Sequence, residues 1–336
     1  MKIGLGQPYF HYSQRSSMRS FTVKKNDAGQ RLDKFLTKAV KGLPTSLMYK
    51  YIRTKKIKVN RKRTEQKYML CEGDVIDLFI RDEFFGAPEK DMGAITRIQP
   101  RIEAVYEDEN ILLINKRPGV VVHEDAEAKE NTLLMHVRAY LYQKGEYDPS
   151  DEQSFAPALC NRIDRNTGGI VIAAKNAAAL REMNAKIKAG EINKFYLCAV
   201  HGRLKKKSDT HRGWLVKDSS ENKVRIYDKK VPGSKETGTK YEVIAEQGDE
   251  SLLRVELITG RTHQIRATMA YLGHPLIGDG KYGVNKNDRI KHQALYSYRL
   301  EFDFESSEGE LGYLKGKSVE IDPESIDFVR WFGGVK

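Results

Sequence analysis

Two short stretches hold the residues best suited to chemistry. In Asn161-Arg-Ile-Asp-Arg-Asn-Thr-Gly-Gly169 an acid, Asp164, sits in a polar, glycine-containing turn that runs straight into the apolar Ile170-Val-Ile-Ala-Ala174. Scaffolds commonly present reacting side chains at such a junction of turn and strand. The residues alone leave two readings open: a reacting carboxylate, or an acid that only shapes the turn. In Thr259-Gly-Arg-Thr-His-Gln-Ile-Arg-Ala267, the side chains of Arg261, His263, Gln264 and Arg266 place four polar donors within six positions at the end of a strand-like run. Burying so many without partners is costly, so they are expected to face water, phosphate or a carboxylate. A metal site is not expected. His263 and His274 have no carboxylate or thiolate at ligand spacing, and His123-Glu124 lacks the second helical histidine of a metalloprotease. Without a GxGxxG word or a P-loop, no nucleotide cofactor is expected either.

The elements that must position these residues are strand-rich. Ile111–Ile114, Gly169–Ala174, Phe195–Val200, Tyr241–Ala245 and Leu252–Ile258 read as strands, while Asn131–Leu141 and Ala177–Lys188 have helical period and length. Strands outnumber helices without alternating strictly with them, so the expected class is α+β with a mixed, mainly antiparallel sheet rather than a doubly wound one. Arg203–Lys235, rich in Lys, Ser, Asp and Gly, reads as a hairpin, a flap or an ordinary surface excursion.

At 336 residues with 40% hydrophobic content the chain has room for two cores. The expected organisation is residues 1–17 unassigned, a small module over 18–81, a linker over 82–100 and a large domain over 101–336. Met18, just ahead of the strand-like Phe21-Thr-Val23, is a candidate start. In the module, Leu32, Phe35, Leu36 and Ala39 share one helical face, Pro44-Thr-Ser46 opens a second helix, and Ile57–Arg61 and Gly73–Ile80 read as strands. Lys and Arg outnumber Asp and Glu by 58 to 46 overall, and by 14 to 5 between Arg31 and Arg81, so most of the net +12 lies in this module. Such concentration points to a polyanion. The three cysteines, widely spaced, are read as reduced and structural. No window is long and apolar enough for a membrane span, and the protein is expected in the cytoplasm.

The module resembles the alpha-L RNA-binding fold through Arg31-Leu-Asp-Lys-Phe-Leu36, the helix ending at Ile52-Arg53, Lys58-Val-Asn60 and Gly73-Asp74. From about Ile102 to Phe304 the chain resembles the RluA-type pseudouridine synthases. The resemblance runs through Asn115–His123, Arg162–Gly168, Lys194–Gly202, Thr259–Arg266 with Gly273–Gly283, and Ala294–Phe302, in the family's order. It implies a pseudouridine synthase fold that isomerises uridine in structured RNA, ribosomal RNA first and transfer RNA second, as a monomer without cofactor or metal.

Roles follow from the same resemblance. Asp164 falls on the catalytic aspartate, Tyr196 on the tyrosine that stacks on the base, and Arg266 on the residue that pairs with the aspartate. Arg162 falls on the arginine that fills the gap left by the flipped uridine, and Leu295 on the apolar residue closing the uracil pocket. Arg261, His263, Gln264 and Thr167 are expected on the substrate side. Lys116 and His123 are read as supporting the loops. Asn161 and Thr268 stand where the family commonly has histidine, which bears on subfamily rather than on reaction type.

Overall fold

Residues that are β-branched or aromatic dominate the chain's apolar runs, and most of these runs become strands. The computed structural model describes residues 16–85, 93, 95–123, 131–218, 221, 223–283 and 288–333; the expected unassigned segment lies outside these up to residue 15. The chain divides into two units, Met1–Lys90 with Pro149–Phe155, and Asp91–Asp148 with Ala156–Lys336.

The first unit contains β1 (Ser16–Thr22), α1 (Leu32–Ala39), α2 (Thr45–Arg53), β2 (Ile57–Val59) and β3 (Val75–Arg81), with an antiparallel sheet ordered β1-β3-β2. The face read from the sequence is the buried one: Leu32, Phe35 and Leu36 of α1 meet Met48 and Ile52 of α2 over Ile57, Ile76 and Leu78 of the sheet. Lys50, Arg53, Lys55 and Lys56 remain exposed around α2. Phe84 and Phe85, beyond the expected boundary, pack on the same core. Pro149–Phe155 also belongs here. Ser154 donates its backbone N–H (3.1 Å) and hydroxyl (2.5 Å) to the buried Asp27 carboxylate, and Gln153 donates to the Thr22 carbonyl at 2.9 Å. No periodicity marks that segment, which is why the sequence reading placed it elsewhere.

The second unit is built on one sheet. It comprises β4 (Ala104–Glu107), β5 (Ile111–Lys116), β6 (Ala158–Leu159), β7 (Gly168–Ala174), β8 (Ile192–His201), β9 (Ser208–Asp218), β10 (Lys223–Tyr227), β11 (Lys235–Gln247), β12 (Glu250–Leu257), β13 (Leu295–Phe302) and β14 (Ser318–Glu320). The order is β10-β9-β11-β12-β8-β13-β7-β5-β4, with β14 beside β13 and β6 beside β7. Among the described strands only β7 and β13 run parallel, so the sheet is mixed and mainly antiparallel, as expected. The span 203–235 supplies the β9–β10 hairpin at one end of that order.

Every residue of β7 is buried. Val171 and Ala173 face one core, and Ile170, Ile172 and Ala174 the other, which explains an unbroken apolar run where a half-exposed strand would alternate. The unit also contains α3 (Leu133–Gln143), α4 (Ala177–Ala189) and α5 (Gln264–Tyr271). The first two match their expected spans closely, and each begins at a side-chain cap: Thr132 accepts from the Met135 N–H and Asn176 from the Ala179 N–H. Helix α5 was not expected. Its residues Gln264 to Met269 are all buried, so it has no polar face to produce a period.

Candidate active site

The turn between β6 and β7 carries Asp164, and its conformation is held from three directions. Asn161 extends the β7 ladder with its side chain, its Oδ1 accepting the Ile172 N–H at 2.8 Å. Inside the turn, the Thr167 N–H donates to the Asp164 carbonyl at 3.1 Å. From β5, the Lys116 ammonium donates to the carbonyls of Arg165 (2.8 Å), Val120 (3.0 Å) and Arg117 (3.1 Å), while the Gly119 N–H also reaches Arg165 at 2.9 Å. Burial pushes the Lys116 pKa down to about 7, with the Asp164 charge opposing. Lys116 thus has the loop-supporting position read from the sequence. On leaving the turn, the chain passes so close to β13 that a Cβ on Gly169, whose φ is +113°, would lie 2.1 Å from the Ser297 carbonyl oxygen. Only glycine fits there.

Opposite the turn, β12 ends and the Thr259–Ala267 stretch folds back into α5. Gln264, 2% exposed, organises this bend. Its Nε2 donates to the Gly238 carbonyl (2.9 Å) and Thr239 Oγ1 (3.0 Å), and its Oε1 accepts from Thr259 Oγ1 (2.8 Å) and the Arg261 N–H (3.0 Å). His263 enters the helix in the left-handed conformation, φ 51°, a sparsely populated state for a residue with a Cβ.

That bend delivers Arg266 to Asp164. Its Nη1 donates to Asp164 Oδ2 at 2.8 Å, while Nε and Nη2 form a fork on Asp279, at 2.7 and 2.8 Å to Oδ2 and Oδ1. The Asp279 side chain is fully buried. It also accepts the N–H groups of Lys281 (2.9 Å) and Tyr282 (3.1 Å). Burial works against the charge on each partner, but the mutual hydrogen bonds and attraction win: Arg266 stands above the ordinary arginine pKa and Asp279 below the ordinary carboxylate value. The Tyr282 ring centroid lies 5.2 Å from the guanidinium carbon, and its hydroxyl lies 3.0 Å from His263 Nδ1. His263 Nε2 is 3.7 Å from Asp164 Oδ2; burial lowers the imidazole pKa, with Asp164 partly offsetting it.

Asp164 and Arg266 open onto a pocket of about 270 Å³ whose walls include Tyr196 and Leu295. Tyr196 is 7% exposed, and burial, aided by the Asp164 charge, pushes its phenol up to about 12, so it is neutral over the physiological range. Arg162 and Arg261 also line the pocket and are exposed. Gln264 and Thr167 reach it too, but with polar groups already engaged; Thr167 Oγ1 accepts from Gln293 at 3.2 Å. All nine residues singled out in the sequence therefore border one pocket. The sequence reading missed the fork of Arg266 on Asp279, a residue it held only within the stretch Gly273–Gly283. Among the described residues no three His, Cys, Asp or Glu side chains gather as a metal site.

A carboxylate clamped by a guanidinium stands beside a slot with aromatic and aliphatic walls, on a mixed sheet, an arrangement that can hold a flat ring against an ionised acid. The model of the RNA pseudouridylate synthase family matches residues 110–271, and that of the S4 domain matches residues 30–76. An uncharacterized RNA pseudouridine synthase of Mycoplasma genitalium is 33% identical over 291 residues, covering 84% of this chain and 88% of that protein. The ribosomal large subunit pseudouridine synthase C of Vibrio vulnificus is 31% identical over 324 residues, covering 93% and 98%. The solved structure of human RNA Pseudouridylate Synthase Domain Containing 1 shares the fold at 21% identity and a TM-score of 0.52, over 70% of this chain and 97% of that one. The chain belongs to the RluA-type pseudouridine synthase family. It is an RNA pseudouridine synthase with an N-terminal S4 RNA-binding domain.

Proposed function

We propose that the enzyme isomerises specific uridines of large-subunit ribosomal RNA, acting as a cytoplasmic monomer with Asp164 as the reacting carboxylate. The observation that carries this reading is the 2.8 Å contact of Asp164 with Arg266 at the edge of the pocket walled by Tyr196 and Leu295. The uridine leaves its stack, Arg162 fills the gap, and the base lies between Tyr196 and Leu295. Asp164 then attacks C1′ of the ribose or removes the neighbouring proton. The C1′–N1 bond breaks and the uracil turns; a C1′–C5 bond then forms as the Asp164–C1′ ester breaks, or as the proton taken from C2′ returns, and the C5 proton is lost while N1 takes one up, with Tyr196 as the residue beside the ring that relays it. Arg266 orients the carboxylate through a charge-assisted hydrogen bond. The Vibrio relative's name supports ribosomal RNA as the substrate.

The test is a carbodiimide-dependent reverse-transcription map of ribosomal and transfer RNA from cells with and without the gene, repeated with Asp164→Asn. At least one stop in large-subunit ribosomal RNA is expected to vanish with the gene and to stay absent with Asp164→Asn, while RNA affinity changes by no more than a few fold. An active Asn variant sinks the assignment of Asp164; stops confined to transfer RNA sink the substrate.

A further inference from the structure

The pocket contains a half-buried cation, Lys194, that none of these roles uses. Side chains alternate across a strand, so Cys198, Tyr196 and Lys194 of β8 stand on one face. Cys198 is 0% and Tyr196 7% exposed, while Lys194 is half-buried, so exposure grows along the row toward Lys194. Lys194 lines the same pocket as Asp164. Among the described residues its ammonium makes a single hydrogen bond, a long one of 3.4 Å to the Ile192 carbonyl of its own strand, and no ion pair. Arg266, in contrast, has two carboxylates. Burial lowers the Lys194 pKa, and no acid opposes it. An ammonium drawn partly out of water without a counter-ion is unfavourable. The anion that accompanies an RNA nucleotide into such a pocket is a phosphodiester. Lys194 stands two residues from Tyr196, about 7 Å along the strand, a step on the scale of one nucleotide.

We propose that Lys194 is the phosphate-binding residue of the uridine pocket, its ammonium taking a phosphodiester oxygen that flanks the target nucleotide while Tyr196 takes the base. This rests on the reading of function above. The experiment therefore begins by confirming that the full-length wild type forms pseudouridine in a stem-loop built around the mapped uridine. If it does not, the functional reading fails and this inference falls with it.

Given activity, Lys194→Met is expected to raise KM by about tenfold or more, the loss of one charge-assisted hydrogen bond, and to leave kcat within a few fold. The slope of log affinity against log salt should flatten by about 0.7 to 0.9, one phosphate contact. Lys194→Arg is expected to restore both. The thermal midpoint of Lys194→Met should not fall, since an uncompensated cation is removed. Stem-loops with a methylphosphonate at either linkage flanking the uridine locate the contact: at one of them wild-type binding should weaken as in Lys194→Met, and the variant should lose nothing further. Unchanged KM and salt slope in Lys194→Met, or losses that add in full at both linkages, overturn the proposal. So does a fall in kcat alone, which would put the lysine on the departing uracil.

Discussion

Arg266 commits its three guanidinium nitrogens to two carboxylates, and the two are not equivalent. Asp279 is fully buried and held by a fork, whereas Asp164 keeps 26% of its side chain exposed and takes one contact. Two acids share one cation, so a single net negative charge remains, and it faces the pocket. The fork also fixes the plane of the guanidinium, and with it the direction from which Nη1 meets Asp164. Arg266→Met should abolish turnover and also destabilise the fold by about 3–5 kcal/mol, because it strands the Asp279 charge out of water. Arg266→Lys keeps the charge but cannot reproduce the fork while reaching Asp164. It should remain folded and lose most of kcat with little change in KM. Thermal unfolding beside steady-state kinetics separates the two effects, and a Lys variant with wild-type kcat would show that orientation by the fork is irrelevant. The pairing of Asp164 with Arg266 was legible through motif resemblance. The role of Asp279 was not, since a carboxylate in a glycine-flanked turn looks the same in sequence whether it faces water or a buried arginine.

The same boundary between legible and hidden runs through the elements. Helices α3 and α4 announced themselves by period and length, and β7 by its apolar run. Helix α5, sunk on nearly all sides, offered only a dense polar word, and that word was read as the end of a strand. The hairpin of β9 and β10 lay among three open readings because charge and glycine mark loops and edge strands alike. Where β5, β7 and the Asp164 turn meet, the decisive contact is long-range: the Lys116 ammonium on three carbonyls. Its folded pKa of about 7 against 10.5 for an ordinary lysine has a definite sign. Below pH 7 both folded and unfolded chains carry the proton. Between about 7 and 10.5 the unfolded chain binds the extra proton, so this group's contribution makes the wild type progressively more stable as pH rises. Denaturant midpoints of the wild type and of Lys116→Met, measured from pH 6.5 to 9.5, should therefore diverge in the wild type's favour above pH 7. Parallel curves would mean that the carbonyls hold Lys116 cationic throughout.

Over the whole molecule, charge and chemistry are assigned to different units. Between Arg31 and Arg81 the net charge is +9, from 14 basic and 5 acidic residues, against +12 for the whole chain. The pocket, by comparison, is lined by one acid, Asp164, together with the cations Arg162, Lys194, Arg261 and Arg266. A phosphate-binding surface acts through counterion release and is blind to which uridine reacts, whereas the pocket acts on one nucleotide at a time. The two should therefore separate experimentally. Replacing the exposed Lys50, Arg53, Lys55 and Lys56 together by Gln leaves the core residues Met48 and Ile52 in place, so the S4 domain should stay folded. If each residue meets one phosphate, the salt slope of RNA binding should flatten by about 0.7 to 0.9 per residue, and affinity at physiological salt should fall by orders of magnitude. At saturating RNA and low salt, kcat should stay within a few fold of the wild type, since no group at the pocket has changed. Asp164→Asn should show the converse, with affinity and salt slope intact and no product. Binding titrations over a range of salt, paired with single-turnover rates, test both variants in one design. An unaltered slope in the four-residue variant would move the RNA anchor away from α2, and a collapse of its saturated rate would show that the S4 domain takes part in the chemistry rather than only in capture.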